Sequence, residues 1–133
     1  MAYTVYNPDD WDVEIAGYTI TGIGEDGVSW EKAEANGEMK RGIGKHEGIW
    51  QQSNDTTYNL TVSVLANCPQ LKYIIPLFKS ITPFPVSAVN KKLGLSFTGT
   101  MAMFEEEPSF EMGTEAGDIE LTMAVFDGVT ATV

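Results

Sequence analysis

Apolar and polar residues alternate with a period of two along much of this chain, and this pattern constrains its fold more than any other feature. Between residues 57 and 65, apolar side chains fall on one side of the chain and polar side chains on the other. The same alternation returns between residues 118 and 125. A strand with one buried face has this period. We therefore predict a mainly β protein whose strands each bury one face.

Two earlier segments also carry strand signals. Residues 13–20 predict a strand or hairpin that is broken near Ala16 and Gly17. Residues 28–35 are predicted to pair with it across a tight turn at residues 25–27, because Asp-Gly supplies the positive φ that such turns need.

A later strand is predicted over residues 95–105, with Gly99 as the site of a bulge or a close backbone approach. Its alternation places four apolar side chains on one face, and these are Leu95, Phe97, Met101 and Met103.

Helical spacing occurs once, over residues 68–81, where five apolar residues form a stripe that would lie on the sheet. Asn67 is predicted to cap this helix and Pro69 to occupy its first turn. Pro76 should kink or end it, because proline cannot donate the backbone hydrogen bond to the preceding turn. The apolar stripe consists of Leu71, Ile74, Ile75, Phe78 and Ile81.

Residues 36–55 contain several glycines and little periodicity, so we predict a long extended loop. The loop concentrates positive charge in a chain with few basic residues, at Lys40, Arg41, Lys45 and His46. A structureless loop of this length in a compact domain is uncommon unless it is functional. Two interpretations stay open: an arm that docks on a neighbouring subunit, and a solvated loop.

The chain has 133 residues, and this length predicts one domain over residues 1–133. No apolar stretch approaches the roughly 20 residues of a membrane helix, and the first residues lack the pattern of a secretory signal, so we expect synthesis in the cytoplasm. Cys68 is the only cysteine, which excludes an intrachain disulfide and leaves its role open. The formal net charge of −11 disfavours binding to phosphate backbones. The acidity suits a surface along which DNA slides, or it merely keeps the protein soluble.

No catalytic motif survives inspection, so we predict neither an enzyme nor a bound cofactor or metal. Residues 22–27 match the glycine spacing of a dinucleotide site, but a strand pattern follows them where that site needs a helix. His46 is the only histidine, and it lies in a glycine-rich segment. Glu105, Glu106 and Glu107 are consecutive, and consecutive strand residues point to opposite faces, so they are not expected to converge.

The order of elements between Asp12 and Phe126 resembles the inner tail tube proteins of contractile-tailed bacteriophages. The resemblance rests on the hairpin, the glycine-bearing loop that leads through residues 53–55 into the strand at 58–65, the single helix, and the two late strands joined by residues 107–118. It implies a tail-tube-like fold, in which two packed antiparallel sheets form a sandwich or barrel flanked by one α-helix. It also implies hexameric rings that stack into a conduit for DNA ejection inside a contractile sheath. The implied partners are further copies of the chain, the sheath protein, the tape measure protein, and baseplate and tail terminator proteins. Double-stranded DNA would pass through the lumen without specific binding, no membrane is implied, and the protein would lie in the virion tail after assembly in the host cytoplasm.

Under this resemblance, the polar strand faces would line the lumen and repel phosphates. The candidates for this surface are Glu31, Glu34, Thr61, Ser63, Glu120 and Thr122. The basic loop residues would contact an acidic rim on the next ring, for which the candidates are Glu105, Glu106 and Glu107. Two alternatives remain: the tube of a phage-derived bacteriocin or secretion system, and a small ligand-binding β-barrel. Four methionines either line the pocket of such a barrel or, as we expect, fill the core: Met101, Met103, Met112 and Met123.

Overall fold

The computed structural model describes residues 5–110 and 117–132, and its chain is built almost entirely from antiparallel strands. The strands are β1 (Trp11–Ile15), β2 (Tyr18–Thr19), β3 (Ile23–Lys32), β4 (Gly37–Arg41), β5 (Gly48–Gln52), β6 (Tyr58–Val64), β7 (Phe84–Asn90), β8 (Leu95–Phe104), β9 (Ile119–Val125) and β10 (Val129–Thr132). Short 3-10 turns cover Pro8–Asp10 and Ile75–Lys79, and the one α-helix, α1, covers Leu71–Ile74.

Eight strands form one sheet in the order β2-β1-β7-β8-β9-β6-β3, with β10 also paired to β8. The sheet folds over so that its two halves face each other. Trp30 on β3 and Tyr58 on β6 both pack on Phe97 of β8, with ring centroids 5.4 and 5.2 Å apart. The prediction of a mainly β fold with two packed antiparallel layers is confirmed, and the layers are halves of one hydrogen-bonded sheet.

The core comes from the apolar positions of the alternating strands. On β6, Leu60, Val62 and Val64 are fully buried, as the alternation predicted. On β9, the same is true of Leu121 and Met123. The period of two therefore places one face of each strand in the core and leaves the other face free for function.

A bulge in β8 changes which of its side chains face the core. The pairing with β7 shifts between Val86, opposite Gly99, and Phe84, opposite Ala102. Ala102 is consequently buried and Met101 is exposed, which is the reverse of the predicted alternation. Gly99 is a close approach as expected, because a Cβ added there would overlap a methyl group of Val125.

Residues 25–27 do not form the predicted hairpin turn. They lie within β3, where the pairing with β6 jumps from Ile23 opposite Val64 to Val28 opposite Val62. Gly27 has a φ of +63°, so the Asp-Gly signal marks a wide bulge in one strand instead of a reversal of the chain. The predicted break at Ala16 and Gly17 is confirmed as the turn between β1 and β2, where both residues have positive φ.

The helix is shorter than the predicted 68–81 segment. It begins at Leu71, after Asn67 and Pro69, and the residue at its N-terminal boundary is Gln70, which makes no side-chain capping hydrogen bond. The α-helical part ends at Ile74, and Pro76 lies at the start of the following 3-10 turn. The α-helix thus stops before the proline that was predicted to disrupt it.

The segment 36–55, predicted as a loop, contains a two-stranded β-hairpin. β4 and β5 pair with each other from Gly37 opposite Gln52 to Arg41 opposite Gly48. The hairpin is separate from the main sheet, so both of its faces are solvated and its strands lack the apolar alternation of a half-buried strand.

Candidate assembly surfaces

The described residues contain no group of three or more His, Cys, Asp or Glu side chains placed to hold a metal ion. No helix in residues 5–110 or 117–132 is long and apolar enough to cross a membrane. The surfaces that stand out are instead an acidic concavity on one sheet face and the basic hairpin.

The acidic concavity is a hollow of about 730 Å³ on the outer face of β3, β6 and β9. Four of the predicted lumen residues line it together: Glu31, Thr61, Glu120 and Thr122. Strand register explains their convergence, because Thr61 lies opposite Thr122 and their hydroxyl oxygens are 3.5 Å apart. Thr61, Glu120 and Thr122 occupy the polar positions of strands whose alternate residues form the core. Glu31 lies on β3, where Val28 and Trp30 are partly buried against that core.

Glu105, Glu106 and Glu107 line the same concavity, although the sequence argued against their convergence. β8 ends at Phe104, so the three glutamates lie beyond the strand and its alternation does not apply to them. The structure therefore brings the predicted rim residues and four predicted lumen residues into one surface.

Six carboxylates line the concavity, with no lysine or arginine among its lining residues. Lys79 approaches from outside, and its ammonium lies 3.5 Å from a Glu107 oxygen. Both side chains of this pair are more than half exposed, so the pair neutralises little of the local charge. The concavity will repel anions such as phosphates and attract cations.

Two predicted lumen residues lie outside this surface. Ser63 lies on the same face of β6 as Thr61 but is only 1% exposed. Gly24 of the β3 bulge and the Asp118 carboxylate lie close to it and cover it. Its hydroxyl has no hydrogen-bond partner in the part of the chain that the structure describes. Glu34 follows the end of β3 and lines a separate hollow beside Asn36.

Asn59 and Asp118 line the concavity but were not predicted as site residues. Both fall in the polar phase of the sequence alternation, Asn59 with Thr61 and Asp118 with Glu120. Including the polar residue two positions before Thr61 and the one two positions before Glu120 would have predicted both.

The predicted basic residues occur on the hairpin. Lys40 and Arg41 end β4, and Lys45 and His46 lie in the connecting turn, with all four exposed. Glu47 closes the turn: its carboxylate accepts the Gly44 amide hydrogen at 3.1 Å. Positive charge is therefore displayed at the far end of a hydrogen-bonded arm.

The hairpin also exposes apolar side chains. Trp50 is 52% exposed and Met39, its cross-strand neighbour, is 59% exposed. Ile49 and Ile43 are still more exposed. Exposed apolar groups beside basic ones are typical of a surface that contacts another protein.

The methionines predicted to line a ligand pocket do not share one. Met123 is fully buried in the core, whereas Met101 is 45% exposed. Met103 is half-buried, and Met112 lies outside the described residues. The described part of the predicted set therefore supplies no common lining for a guest molecule.

Solved structures that share this fold over essentially the whole chain include two that end a tube. The first is the tube-terminating cap of the anti-feeding prophage, with a TM-score of 0.64, 13% identity, and coverage of 100% of this chain and 94% of that one. The second is the sheath/tube terminator of an extracellular contractile injection system in its extended state, with a TM-score of 0.51, 15% identity, and coverage of 99% and 98%. No family model and no curated protein matches the chain.

The chain shares its fold with these two tube-terminating structures. The predicted tail-tube-like fold is thus confirmed. These two structures are described as terminators of a tube, and neither is described as the repeating inner tube of a phage.

Proposed function

We propose that this chain is a non-enzymatic structural subunit that forms rings on the axis of a contractile tail or injection machine. The observation that carries the proposal is the match of the whole chain to the fold of tube-terminating proteins. Six copies would close a ring, and rings would stack inside a contractile sheath to form the inner tube through which DNA is ejected. The tail of the assembled particle would be its location, after assembly in the host cytoplasm.

The acidic concavity is the surface proposed to face the bore. It presents hydroxyls and carboxylates from Thr61, Thr122, Glu31 and Glu120 on a sheet that is rigidly paired on both sides of β6. A negative wall keeps a polyanion in solution and away from the protein, because attraction to phosphates would slow its passage. Double-stranded DNA would therefore pass without specific binding.

The basic hairpin is proposed to make the contact between rings. Lys40, Arg41, Lys45 and His46 would meet an acidic surface of the adjacent ring, and Glu105–Glu107 is the acceptor predicted from the sequence. These glutamates follow the end of β8 and are exposed, which suits a ring margin. The other proposed partners are the sheath, the tape measure protein, and the baseplate and tail terminator proteins.

A second candidate is a terminal ring that closes the tube instead of repeating along it. It is favoured because both structures of similar fold are described as terminators. The description of the second structure favours an injection system as the parent machine.

Electron microscopy of the purified full-length chain at increasing concentration tests both candidates. Tubes of open length are expected for a repeating tube subunit, and single or paired rings for a terminator. Solitary particles at every concentration and buffer, together with absence of the chain from purified tail particles, would contradict ring formation.

The proposed role of the concavity has a separate test. The double variant Glu31→Lys/Glu120→Lys should assemble normally but reduce delivery through the tube, because lysines in the bore would bind phosphates. A matched control, Glu14→Lys/Glu25→Lys, makes the same change in net charge at exposed residues outside both the concavity and the hairpin. Equal delivery by both variants would show that this surface does not face the bore.

A further inference from the structure

The base of the hairpin contains an asparagine-glycine pair that is open to a covalent change. Asn36 lies in the bend before β4 and is exposed, and Gly37 is the first residue of β4. In such a pair the backbone nitrogen of the glycine can attack the side-chain amide of the asparagine, because glycine has no Cβ to obstruct the approach. The fold determines whether the two groups are free to react.

The Gly37 amide hydrogen lies outside the hydrogen-bond ladder of the hairpin. The Ser53 amide donates to the Asn36 carbonyl at 2.8 Å. Bonded and non-bonded pairs alternate along antiparallel strands, so the next pair, Gly37 opposite Gln52, is a non-bonded one. The Gly37 N–H therefore points away from β5, and among the described residues β4 has no strand on its other side.

Lys32 activates the group that would be attacked. Its ammonium donates a hydrogen bond of 2.5 Å to Asn36 Oδ1. This contact draws electrons from the side-chain carbonyl carbon and stabilises the negative charge that develops on the oxygen when a nitrogen attacks. Because β3 ends at Lys32, the main sheet positions this side chain beside the base of the hairpin.

Packing within the hairpin requires the glycine of this pair. A Cβ added at Gly37 would overlap the Gln51 carbonyl oxygen and the Trp50 indole. Any other residue at this position would have to displace both groups. The reactive pair is therefore part of the way the hairpin packs.

No other asparagine combines these features, and all six asparagines of the chain lie within the described residues. The proline after Asn7 has no amide hydrogen. The amides that follow Asn54 and Asn67 are both hydrogen-bonded. Asn59 lies inside β6, which is paired on both sides, and Asn90 is only 1% exposed.

We propose that Asn36 is a site of spontaneous deamidation, in which the Gly37 nitrogen is the nucleophile and Lys32 assists. The Gly37 amide loses its proton to hydroxide, and its nitrogen bonds to Asn36 Cγ in an intramolecular step. Water returns a proton to the side-chain nitrogen, which leaves as ammonia, so that the two residues share a cyclic imide. A second water molecule opens the imide at either carbonyl and leaves aspartate or isoaspartate in place of Asn36.

The isoaspartate form changes the base of the hairpin. It adds one carbon atom to the backbone, and the carbonyl that accepted the Ser53 amide hydrogen becomes part of a free carboxylate. The hairpin loses the hydrogen bond that closes its open end. The change runs in one direction because ammonia is lost.

Incubation of the full-length chain in neutral and in mildly alkaline buffer, followed by peptide mass spectrometry, measures the conversion. We expect the mass change of an amide that becomes an acid at Asn36 alone, at a rate that rises with pH. Hydrogen exchange at the Ser53 amide should be at least fivefold faster in the isoaspartate form. Asn36→Gln should abolish both changes, because the longer side chain forms the imide far more slowly.

Lysine variants test the assistance by Lys32. Lys32→Gln should slow the conversion about fivefold in the folded chain. Lys32→Arg should restore most of the rate, because it keeps a charged donor. Lys40→Gln makes the same charge change on the exposed strand β4 and should leave the rate unchanged. In urea all of these chains should convert equally, since unfolding separates Lys32 from Asn36.

Three results would overturn the proposal. If Asn36 stays intact in the folded chain for the time in which the unfolded chain converts half of it, the fold blocks the reaction. Equal rates for Lys32→Gln and Lys40→Gln would remove Lys32 from the step. Faster conversion at any other asparagine would place the reactive site elsewhere.

Discussion

The Trp30 indole nitrogen donates a hydrogen bond of 3.1 Å to Thr130 Oγ1 and thereby joins β3 to β10, strands whose residues are separated by 100 positions in the sequence. The same indole stacks on Phe97 and contacts Trp11. One half-buried side chain thus connects both layers of the folded sheet.

Replacing Trp30 with alanine should lower the free energy of unfolding by about 2 kcal/mol, since the aromatic contacts are lost and the site is only partly buried. Trp30→Phe keeps most of the stacking and should cost about 1 kcal/mol through the lost hydrogen bond. Denaturant titration followed by circular dichroism measures both values. Trp50→Ala on the hairpin is the matched control and should change stability by less than about 0.5 kcal/mol. Equal losses at the two tryptophans would contradict the role given to Trp30.

Gly99→Ala should destabilise the fold by about 2 kcal/mol, because its new methyl group would overlap Val125, which is fully buried and cannot move aside. Adding Val125→Ala removes the opposing methyl groups. The loss in the double variant should therefore be smaller than the sum of the two single losses. Strict additivity in thermal or chemical unfolding would show that the two positions do not touch.

Asp127 holds the β8 bulge, and its contribution to stability should depend on pH. Its carboxylate accepts a hydrogen bond from the Thr100 hydroxyl. It also accepts hydrogen bonds from the backbone amides of Thr100 and Met101, both at 3.0 Å. The pKa of Asp127 lies below its ordinary value of 3.8, and the hydrogen bond from the Thr100 hydroxyl is the largest cause. The two backbone amides lower the pKa further, whereas burial raises it. A lowered pKa stabilises the fold above the unfolded value, and this stabilisation is lost as the pH falls through the folded value.

Asp127→Asn should accordingly cost on the order of 1 kcal/mol at neutral pH, after allowance for the partial exposure of the group. The difference from the unsubstituted protein should shrink as the pH is lowered below about 3.8. Glu38→Gln on the exposed hairpin serves as the control and should change the free energy of unfolding at neutral pH by less than about 0.5 kcal/mol. A loss that is constant from pH 7 to pH 2.5 would mean that the charge of Asp127 does not act on the fold.

Reversing charge on the hairpin should weaken stacking of rings without unfolding the subunit. Lys40→Glu/Lys45→Glu is expected to shift assembly to single rings or free subunits, and Lys72→Glu/Lys91→Glu makes the same charge change elsewhere. Raising the salt concentration should also weaken stacking, since exposed charges are screened over about 8 Å at physiological ionic strength. Sedimentation velocity and electron microscopy follow both effects. Stacking that is equally sensitive to both variants would contradict a specific hairpin contact.

The sequence predicted the strands best where one face is buried along the whole strand. The predicted ends of β6 and β9 agree with the observed ends to within one residue. In each strand, large apolar residues recur at every second position from the first residue to the last. The alternation of these two strands predicted three members of the acidic concavity, Thr61, Glu120 and Thr122. Local periodicity is enough when burial is uniform along the strand.

The errors occur where tertiary pairing changes the local pattern. The β8 bulge moves Ala102 into the core, and the β3 bulge uses an Asp-Gly pair that local rules assign to a turn. β4 and β5 form a hairpin with no buried face, so they carry no apolar alternation to detect. The convergence of Glu105–Glu107 with Glu120 depends on where β8 ends, which residue spacing alone does not determine.

The hairpin supplies none of the residues of the hydrophobic core. Substitutions between Gly37 and Gln52 can therefore alter which surface the hairpin binds without lowering the free energy of unfolding of the subunit. In such a molecule, partner choice and fold stability are carried by separate sets of residues, and natural variation can change the first while the second stays constant.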